Sequence, residues 1–157
     1  MAADGGLQPA EDDRLRKADA ELQEDRLERR EAARARIARE KPMFIIGSPM
    51  CTAFSAWQHL NRDRRDPALM QREYNKAMIH LEFVCKLYRD QADAGRYFLH
   101  EHQVAASSWQ ERCVAELLEA PGVFEVNGDQ CQYGQKAWNG APVKKPIGWM
   151  SNSSEVL

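Results

Sequence analysis

Three segments of the sequence carry side chains whose types and spacing could do chemistry. The first contains Cys51, on a stretch of small and turn-forming residues at positions 47–55. A cysteine on such a loop is not packed like a core residue, and its thiolate is a strong nucleophile. The simpler alternative is a small side chain that only fills the loop, and the spacing alone leaves both interpretations open.

The second segment, residues 96–102, places Glu101 between two histidines. A glutamate at the end of a buried strand can donate a proton or a hydrogen bond to a ring nitrogen. The flanking His100 and His102 are expected to point to opposite sides of the strand. The spacing supplies no third ligand for a metal ion, so no metal site is predicted.

The third segment combines amides, an aromatic side chain and two lysines, and it includes Gln132, Lys144 and Lys145. Lysines bind phosphates, whereas amides hydrogen-bond to the edges of bases. This combination suits a contact with nucleic acid. An exposed hairpin with solvated lysines explains it equally well.

The order of apolar runs and turn signals predicts a scaffold for these segments. Strands are predicted at residues 43–46, 97–99, 123–126 and 146–150. Asp66 and Pro67 predict the start of a long helix, and a capping box of Ser108 and Glu111 predicts a shorter one. Alternating strands and helices indicate a parallel α/β sheet with flanking helices and a final antiparallel strand. The carboxyl ends of parallel strands would bring Cys51 and Glu101 to one edge.

The composition separates a charged N-terminal segment from the rest of the 157-residue chain. Residues 11–41 hold 10 acidic and 10 basic side chains and few apolar ones. That pattern predicts a solvated helix ahead of the sheet. We therefore divide the chain into a tail and charged helix (1–31), an α/β region (32–152) and a C-terminal tail (153–157). The net charge of −2 gives no basic excess of the kind found in non-specific nucleic-acid-binding proteins.

No segment predicts export or membrane insertion. The first residues are polar and acidic, unlike a signal peptide, and the longest apolar runs are too short to span a bilayer. The four cysteines form no CxxC pair, which favours reduced thiols. The sequence therefore predicts an intracellular protein, in either the nucleus or the cytoplasm.

One group of residues carries a family resemblance. Pro49, Cys51, Phe54 and Ser55 form the pattern Pro-x-Cys-x-x-Phe-Ser after the first strand. This pattern resembles the catalytic loop of DNA (cytosine-5)-methyltransferases, which reads Pro-Pro-Cys-x-x-Phe-Ser. Glu101 follows an apolar strand 50 residues later, as the catalytic glutamate of that family does.

The third segment adds to the resemblance. Its Cys-Gln-Tyr-Gly at residues 131–134 and the strand near residues 144–152 are similar to the later strand pair of phage-type and mobile-element members. The likeness covers residues 32–152, and its three segments occur in the order found in the family.

The resemblance implies a partial Rossmann-like methyltransferase sheet and a defined reaction. The target cytosine would be flipped out of DNA into a pocket. The Cys51 thiolate would attack ring carbon 6, and Glu101 would hold or protonate ring nitrogen 3. S-adenosylmethionine would supply the methyl group. The other residues expected to shape the loop or contact the substrate are Ser48, Pro49, Phe54, Ser55, Gln132, Lys144 and Lys145.

The sequence also departs from the family. It lacks the glycine-rich turn and the acidic residue that hold S-adenosylmethionine, Met50 replaces the second proline of the loop, and His102 replaces the usual asparagine. The resemblance thus implies the catalytic half of an enzyme, inactive as an isolated chain. Its partners would be DNA and a missing half of the sheet from another segment or chain.

Two alternatives stay open at this point. The first is a non-catalytic nucleic-acid or protein interaction module with the same fold, because function requires a complete site. The second is a cysteine hydrolase in which His100 or His102 activates Cys51.

Overall fold

The computed structural model describes residues 9–56, 58 and 64–157. The chain divides into two compact units, and the boundary between them falls between Lys41 and Pro42. The first unit contains helix α1 (Pro9–Glu40), which confirms the charged N-terminal helix. Residues 1–8 of the predicted tail lie outside the described part of the chain. No helix formed by the described residues is long and apolar enough to cross a bilayer.

The second unit is a four-stranded sheet with helices. In chain order its elements are β1 (Phe44–Gly47), α2 (Pro67–Asp93), β2 (Tyr97–Gln103), α3 (Arg112–Leu118), β3 (Phe124–Asp129) and β4 (Pro146–Ser151). Short 3₁₀ turns lie at Thr52–Phe54, Ser107–Gln110 and Gln130–Tyr133. The predicted mixed α/β class is therefore confirmed.

The strand order across the sheet is β1-β2-β4-β3. Strands β1 and β2 are parallel, and β4 is antiparallel to both β2 and β3. The first three strands thus run in one direction, as expected. The final strand, β4, is antiparallel as predicted, and it lies between β2 and β3.

Helix α2 begins where the sequence predicted. Asp66 accepts a hydrogen bond from the backbone nitrogen of Ala68 at 2.9 Å, and Pro67 occupies the first turn, where its missing N–H costs nothing. After the helix, Gly95 adopts a φ of 68°, which suits glycine. The apolar side of α2 buries Leu81, Phe83, Val84, Cys85 and Tyr88.

The two faces of the sheet differ in burial. Side chains alternate along a strand, so Phe98, His100 and His102 share the face that α2 covers. Tyr88 of α2 stacks on Phe98 there, with ring centroids 4.6 Å apart. The other face leaves large apolar side chains exposed, among them Ile46, which is 70% exposed, Tyr97, Phe124 and Val126.

Two local predictions were wrong. His100 and His102 lie on the same face of β2, with ring centroids 5.4 Å apart, because side chains two residues apart in a strand point the same way. The Ser108–Glu111 capping box does not form. Ser108 lies in a 3₁₀ turn and its hydroxyl contacts His102 Nδ1 at 2.5 Å, while α3 begins later, at Arg112, with no side-chain cap from Glu111.

Candidate active site

The Cys51 loop, residues 47–55, leaves the carboxyl end of β1. Its first residue must be glycine, because a Cβ on Gly47 would lie 2.0 Å from the hydroxyl oxygen of Tyr88. The close approach of strand and helix therefore fixes where the loop starts. Beyond it, Pro49 is buried, Ser48 is exposed and Cys51 is partly exposed.

Phe54 anchors this loop to the core. Its buried ring makes edge contacts with Tyr74 and His102, at centroid distances of 5.9 and 6.1 Å. The backbone nitrogen of Phe54 donates to the carbonyl of Cys51 at 2.9 Å and closes a 3₁₀ turn that Cys51 caps. Cys51 is thus held at the start of a tight turn whose last residue is buried, and Ser55 follows directly.

Ser48 and Glu101 are in direct contact. Gly47 pairs with His100 in the parallel register, so Ser48 comes level with Glu101. The Ser48 hydroxyl donates a hydrogen bond to Glu101 Oε2. Cys51 follows three residues later, and three extended residues span at most roughly 11 Å. The loop therefore ties the thiol to the neighbourhood of the carboxylate, while a shared pocket for Cys51 and Glu101 stays a prediction.

Glu101 lies inside β2 rather than just past its end, which corrects the expected strand boundary. Strand β2 continues to Gln103 because β4 pairs with it beyond the last residue of β1, with Glu101 opposite Trp149. On the β1 side, pairing ends at Gly47. Glu101 is therefore partly exposed on the face that α2 does not cover, at the carboxyl end of β1.

The third segment emerges at the same end of the sheet. Gln103, near the end of β2, pairs with Ile147, and Asp129, at the end of β3, pairs with Pro146. The connection between β3 and β4 therefore leaves the sheet on the side of the Cys51 loop. Topology thus gathers all three chemically suggestive segments at one end.

Local contacts shape this connection. Gln132 Oε1 accepts a hydrogen bond from the backbone nitrogen of Asp129 at 2.8 Å, so this amide caps the turn at Gln130–Tyr133. Lys144 and Lys145 are exposed, and the carbonyl of Lys145 accepts from Gln130 at 3.0 Å. Their side chains can reach phosphates, whereas Gln132 would have to leave its cap to contact a base.

The two histidines beside Glu101 belong to the core. His100 is 0% and His102 is 1% exposed. His100 Nδ1 lies 3.3 Å from the Tyr88 hydroxyl. Burial, with a smaller contribution from His102, lowers the pKa of His100 to about 3, and burial also lowers the pKa of His102 against the opposing effects of Glu101 and the Pro49 carbonyl. Neither imidazole is available to a surface thiol, so the geometry does not favour a cysteine hydrolase.

The buried histidines predict an acid-sensitive fold. Unfolding returns the pKa of His100 from about 3 to its usual 6.5, so the unfolded chain binds the extra proton as the pH falls below about 6.5. The free energy of unfolding should then drop by about 2 kcal/mol between pH 7 and pH 5 from His100 alone. His102 adds to the loss in the same direction. Urea unfolding at several pH values measures the free energy of unfolding and so gives its pH dependence.

A His100→Gln variant provides the control for this prediction. Its side chain stays neutral, so its stability should depend less steeply on pH than that of the wild type. Equal slopes for the two proteins between pH 7 and pH 5 would show that His100 does not carry the effect.

Two cavities lie beside the candidate site. One of about 810 Å³ borders the Cys51 loop and the start of α2; its lining includes Ala53, Ser55, Gln58, Arg65, Tyr74 and Ser107. The other, of about 390 Å³, lies on the uncovered face and is lined by Leu99, Val126, Tyr133 and Trp149 among others. Cys51 and Glu101 are not among the residues that line these two cavities; both are partly exposed, and Ser48 is exposed.

Sequence reasoning missed Arg65 as a site residue. Its guanidinium bonds to Gln58 and, at 2.6 Å, to Glu73 of α2, and so it closes one side of the larger cavity. The only signal was its place in an arginine-rich loop, part of which, Asn61 to Asp63, lies outside the described residues. In the described part of the chain, no group of three or more His, Cys, Asp and Glu is arranged to hold a metal ion.

No protein-family model matches the chain, and neither does any curated protein or any solved structure.

Proposed function

We propose that residues 42–157 carry the nucleophile and the acid of a site that adds covalently to cytosine in DNA, as in a cytosine-5 methyltransferase. The Ser48–Glu101 hydrogen bond is the observation that carries this proposal. It ties the Cys51 loop to the strand bearing the carboxyl group. The tight turn that begins at Cys51 and the exposed Lys144 and Lys145 at the same end of the sheet support it.

The chemistry of such a site needs two groups. The Cys51 thiolate attacks carbon 6 of the ring, a C–S bond forms, and the electron pair of the C5=C6 bond moves towards carbon 5. Protonated Glu101 donates to nitrogen 3 and so neutralises the charge that the attack creates. In the absence of a methyl donor, carbon 5 takes a proton from water, and the reverse steps release the base unchanged.

S-adenosylmethionine does not fit the described residues. The turn after β1 offers one glycine, Gly47, and the Tyr88 hydroxyl already occupies the place of its missing side chain, so this glycine makes room for the tyrosine rather than for a cofactor. We therefore derive no methyl transfer from this chain alone. In the proposal, the sheet is one half of a Rossmann-like sheet, and the other half, from another segment or chain, would join at β1, which pairs only with β2 among the described strands.

The test is a DNA duplex in which 2-pyrimidinone replaces one cytosine. This base lacks the 4-amino group, so carbon 6 accepts a thiolate without any methyl donor. The wild-type chain should form a one-to-one adduct that intact-protein mass spectrometry detects. Cys51→Ser should form none, because a serine hydroxyl is hardly ionised near neutral pH.

Cys131→Ser is the matched control, since Cys131 is also a partly exposed thiol. It should react as the wild type does. An adduct on Cys51→Ser at the wild-type rate would place the nucleophile elsewhere, and a wild-type chain that never reacts with bound DNA would refute the covalent chemistry.

A second candidate function is a non-catalytic interaction module. The face that α2 does not cover favours it, because Ile46, Tyr97 and Phe124 are all exposed there, and exposed apolar side chains grouped on one face suit a binding partner. This function predicts that DNA or a protein binds equally well to the wild type and to Cys51→Ser, with no adduct in either.

A further inference from the structure

We propose that the connection between β3 and β4, residues 130–145, binds single-stranded nucleic acid by stacking a base on Trp138. This inference extends the proposed function, on which it rests for the class of polymer. It names a different site, a different type of contact and a ligand that need not contain cytosine.

Trp138 is the most exposed tryptophan among the described residues. It is 99% exposed, whereas Trp109 and Trp149 are packed. The indole nitrogen of Trp109 donates to the carbonyl of Gln103 at 2.8 Å, and the ring of Trp149 lies 5.7 Å from that of Tyr133. Tryptophan is highly buried on average, so a fully exposed indole suits a contact with a partner.

The indole is presented by an ordered turn. The backbone nitrogen of Ala137 donates to Ala141 at 2.8 Å, and Lys136 pairs with Pro142 as an isolated bridge. Asn139 Oδ1 accepts from the Ala141 nitrogen at 3.1 Å, and Gly140 supplies the left-handed backbone that the turn needs, with a φ of 82°. A stacking partner therefore meets a side chain whose backbone is already fixed, which lowers the entropy cost of binding.

The surrounding charge matches a phosphate backbone. Residues 130–145 contain three lysines and no acidic residue, in a chain with a net charge of −2. Lys136, Lys144 and Lys145 are all exposed. Cationic side chains that follow the backbone, together with an aromatic platform for bases, are the elements of sequence-tolerant single-strand binding.

A bilayer surface fits this segment less well. Insertion into a membrane interface requires a continuous apolar face with several large side chains. The exposed residues nearest Trp138 in the chain contain no large apolar side chain; they are Gln135, Lys136, Asn139, Gly140, Ala141 and Pro142. Amides of this kind hydrogen-bond to base edges, which again favours nucleic acid.

The test is binding of a fluorescently labelled oligothymidylate, followed by anisotropy. Trp138→Ala should weaken binding by about 5- to 150-fold, which corresponds to the loss of one base–aromatic stack. Trp138→Phe should retain most of the affinity. The thermal unfolding of both variants should match that of the wild type because the indole contributes no packing. Leu69→Ala, at an exposed apolar position in α2, is the matched control and should bind normally.

Salt dependence tests the lysines. For single strands, each phosphate that a protein neutralises steepens the slope of log K against log salt by about 0.7, so Lys144→Ala/Lys145→Ala should flatten that slope by about 1.4. Unchanged affinity in Trp138→Ala would overturn the proposal. So would a wild-type chain that binds phosphatidylserine vesicles but no oligothymidylate.

The two proposals fail separately. Oligothymidylate contains no cytosine, so its binding does not depend on Cys51 or Glu101. A missing 2-pyrimidinone adduct together with a clear Trp138→Ala effect would refute the covalent chemistry alone. An adduct that forms equally well in Trp138→Ala, with unchanged oligothymidylate binding, would refute the stacking site alone.

Discussion

Replacing Glu101 by Gln should slow the formation of the Cys51 adduct by about 10²- to 10⁴-fold, the usual contribution of a positioned acid. The amide has the shape of the carboxyl group and can still accept the hydrogen bond from the Ser48 hydroxyl. It cannot, however, transfer a proton to nitrogen 3 of the base, so the charge created by thiolate attack is no longer neutralised. Single-turnover mass spectrometry with the 2-pyrimidinone duplex measures the rate.

The affinity for the duplex separates a loss of proton transfer from a loss of binding. Glu101→Gln should change the dissociation constant of the duplex much less than the rate, because the amide still hydrogen-bonds to the ring. Ser48→Ala is the companion variant and should slow the reaction by no more than about 10-fold, since it leaves the carboxyl group in place and removes one hydrogen bond worth about 1 kcal/mol. A Glu101→Gln chain that reacts as fast as the wild type would show that another group supplies the proton.

The elements that could be predicted from the sequence are those set by local signals. Asp66 and Pro67 mark the start of α2 because capping and the fixed φ of proline act within one turn. The apolar runs of β1, β3 and β4 are likewise local. By contrast, the length of β2 depends on pairing with β4, whose residues lie about 50 positions away in the chain. No local sequence pattern predicts a pairing between strands so far apart in the chain.

Contacts between residues far apart in the chain also decide the geometry of the candidate site. The positions of Cys51 and Glu101 after apolar runs predicted their common end of the sheet, but the Ser48–Glu101 contact depends on the register of β1 against β2, which the sequence does not state. The wrong orientation of His100 and His102 had a different origin, because the two-residue period of a strand already places them together. The 99% exposure of Trp138 depends on the tertiary structure, and the sequence alone would predict the opposite because tryptophan is usually buried.

Gly47→Ala should lower the free energy of unfolding by about 2–3 kcal/mol, as overpacking of a close contact usually does. The added methyl group would lie 2.0 Å from the hydroxyl oxygen of Tyr88 and 3.0 Å from its ring carbon Cζ. Tyr88 cannot move away cheaply, since it is buried and stacks on Phe98 at 4.6 Å. Either the tyrosine or the end of β1 must shift. Urea unfolding at pH 7 gives the magnitude.

A double-mutant cycle assigns this cost to one contact. Tyr88→Phe removes the oxygen that the methyl group meets, so Gly47→Ala should cost at least about 1 kcal/mol less in that background than in the wild type, a coupling typical of residues in contact. Ser48→Ala, at the next position, adds no atom beside Tyr88 and should cost no more than about 1 kcal/mol, the usual contribution of its hydrogen bond to Glu101. Additive effects of Gly47→Ala and Tyr88→Phe would mean that the contact with the Tyr88 hydroxyl does not cause the loss of stability in Gly47→Ala. Non-additive effects would show that helix α2 fixes the position of the residue from which the Cys51 loop departs.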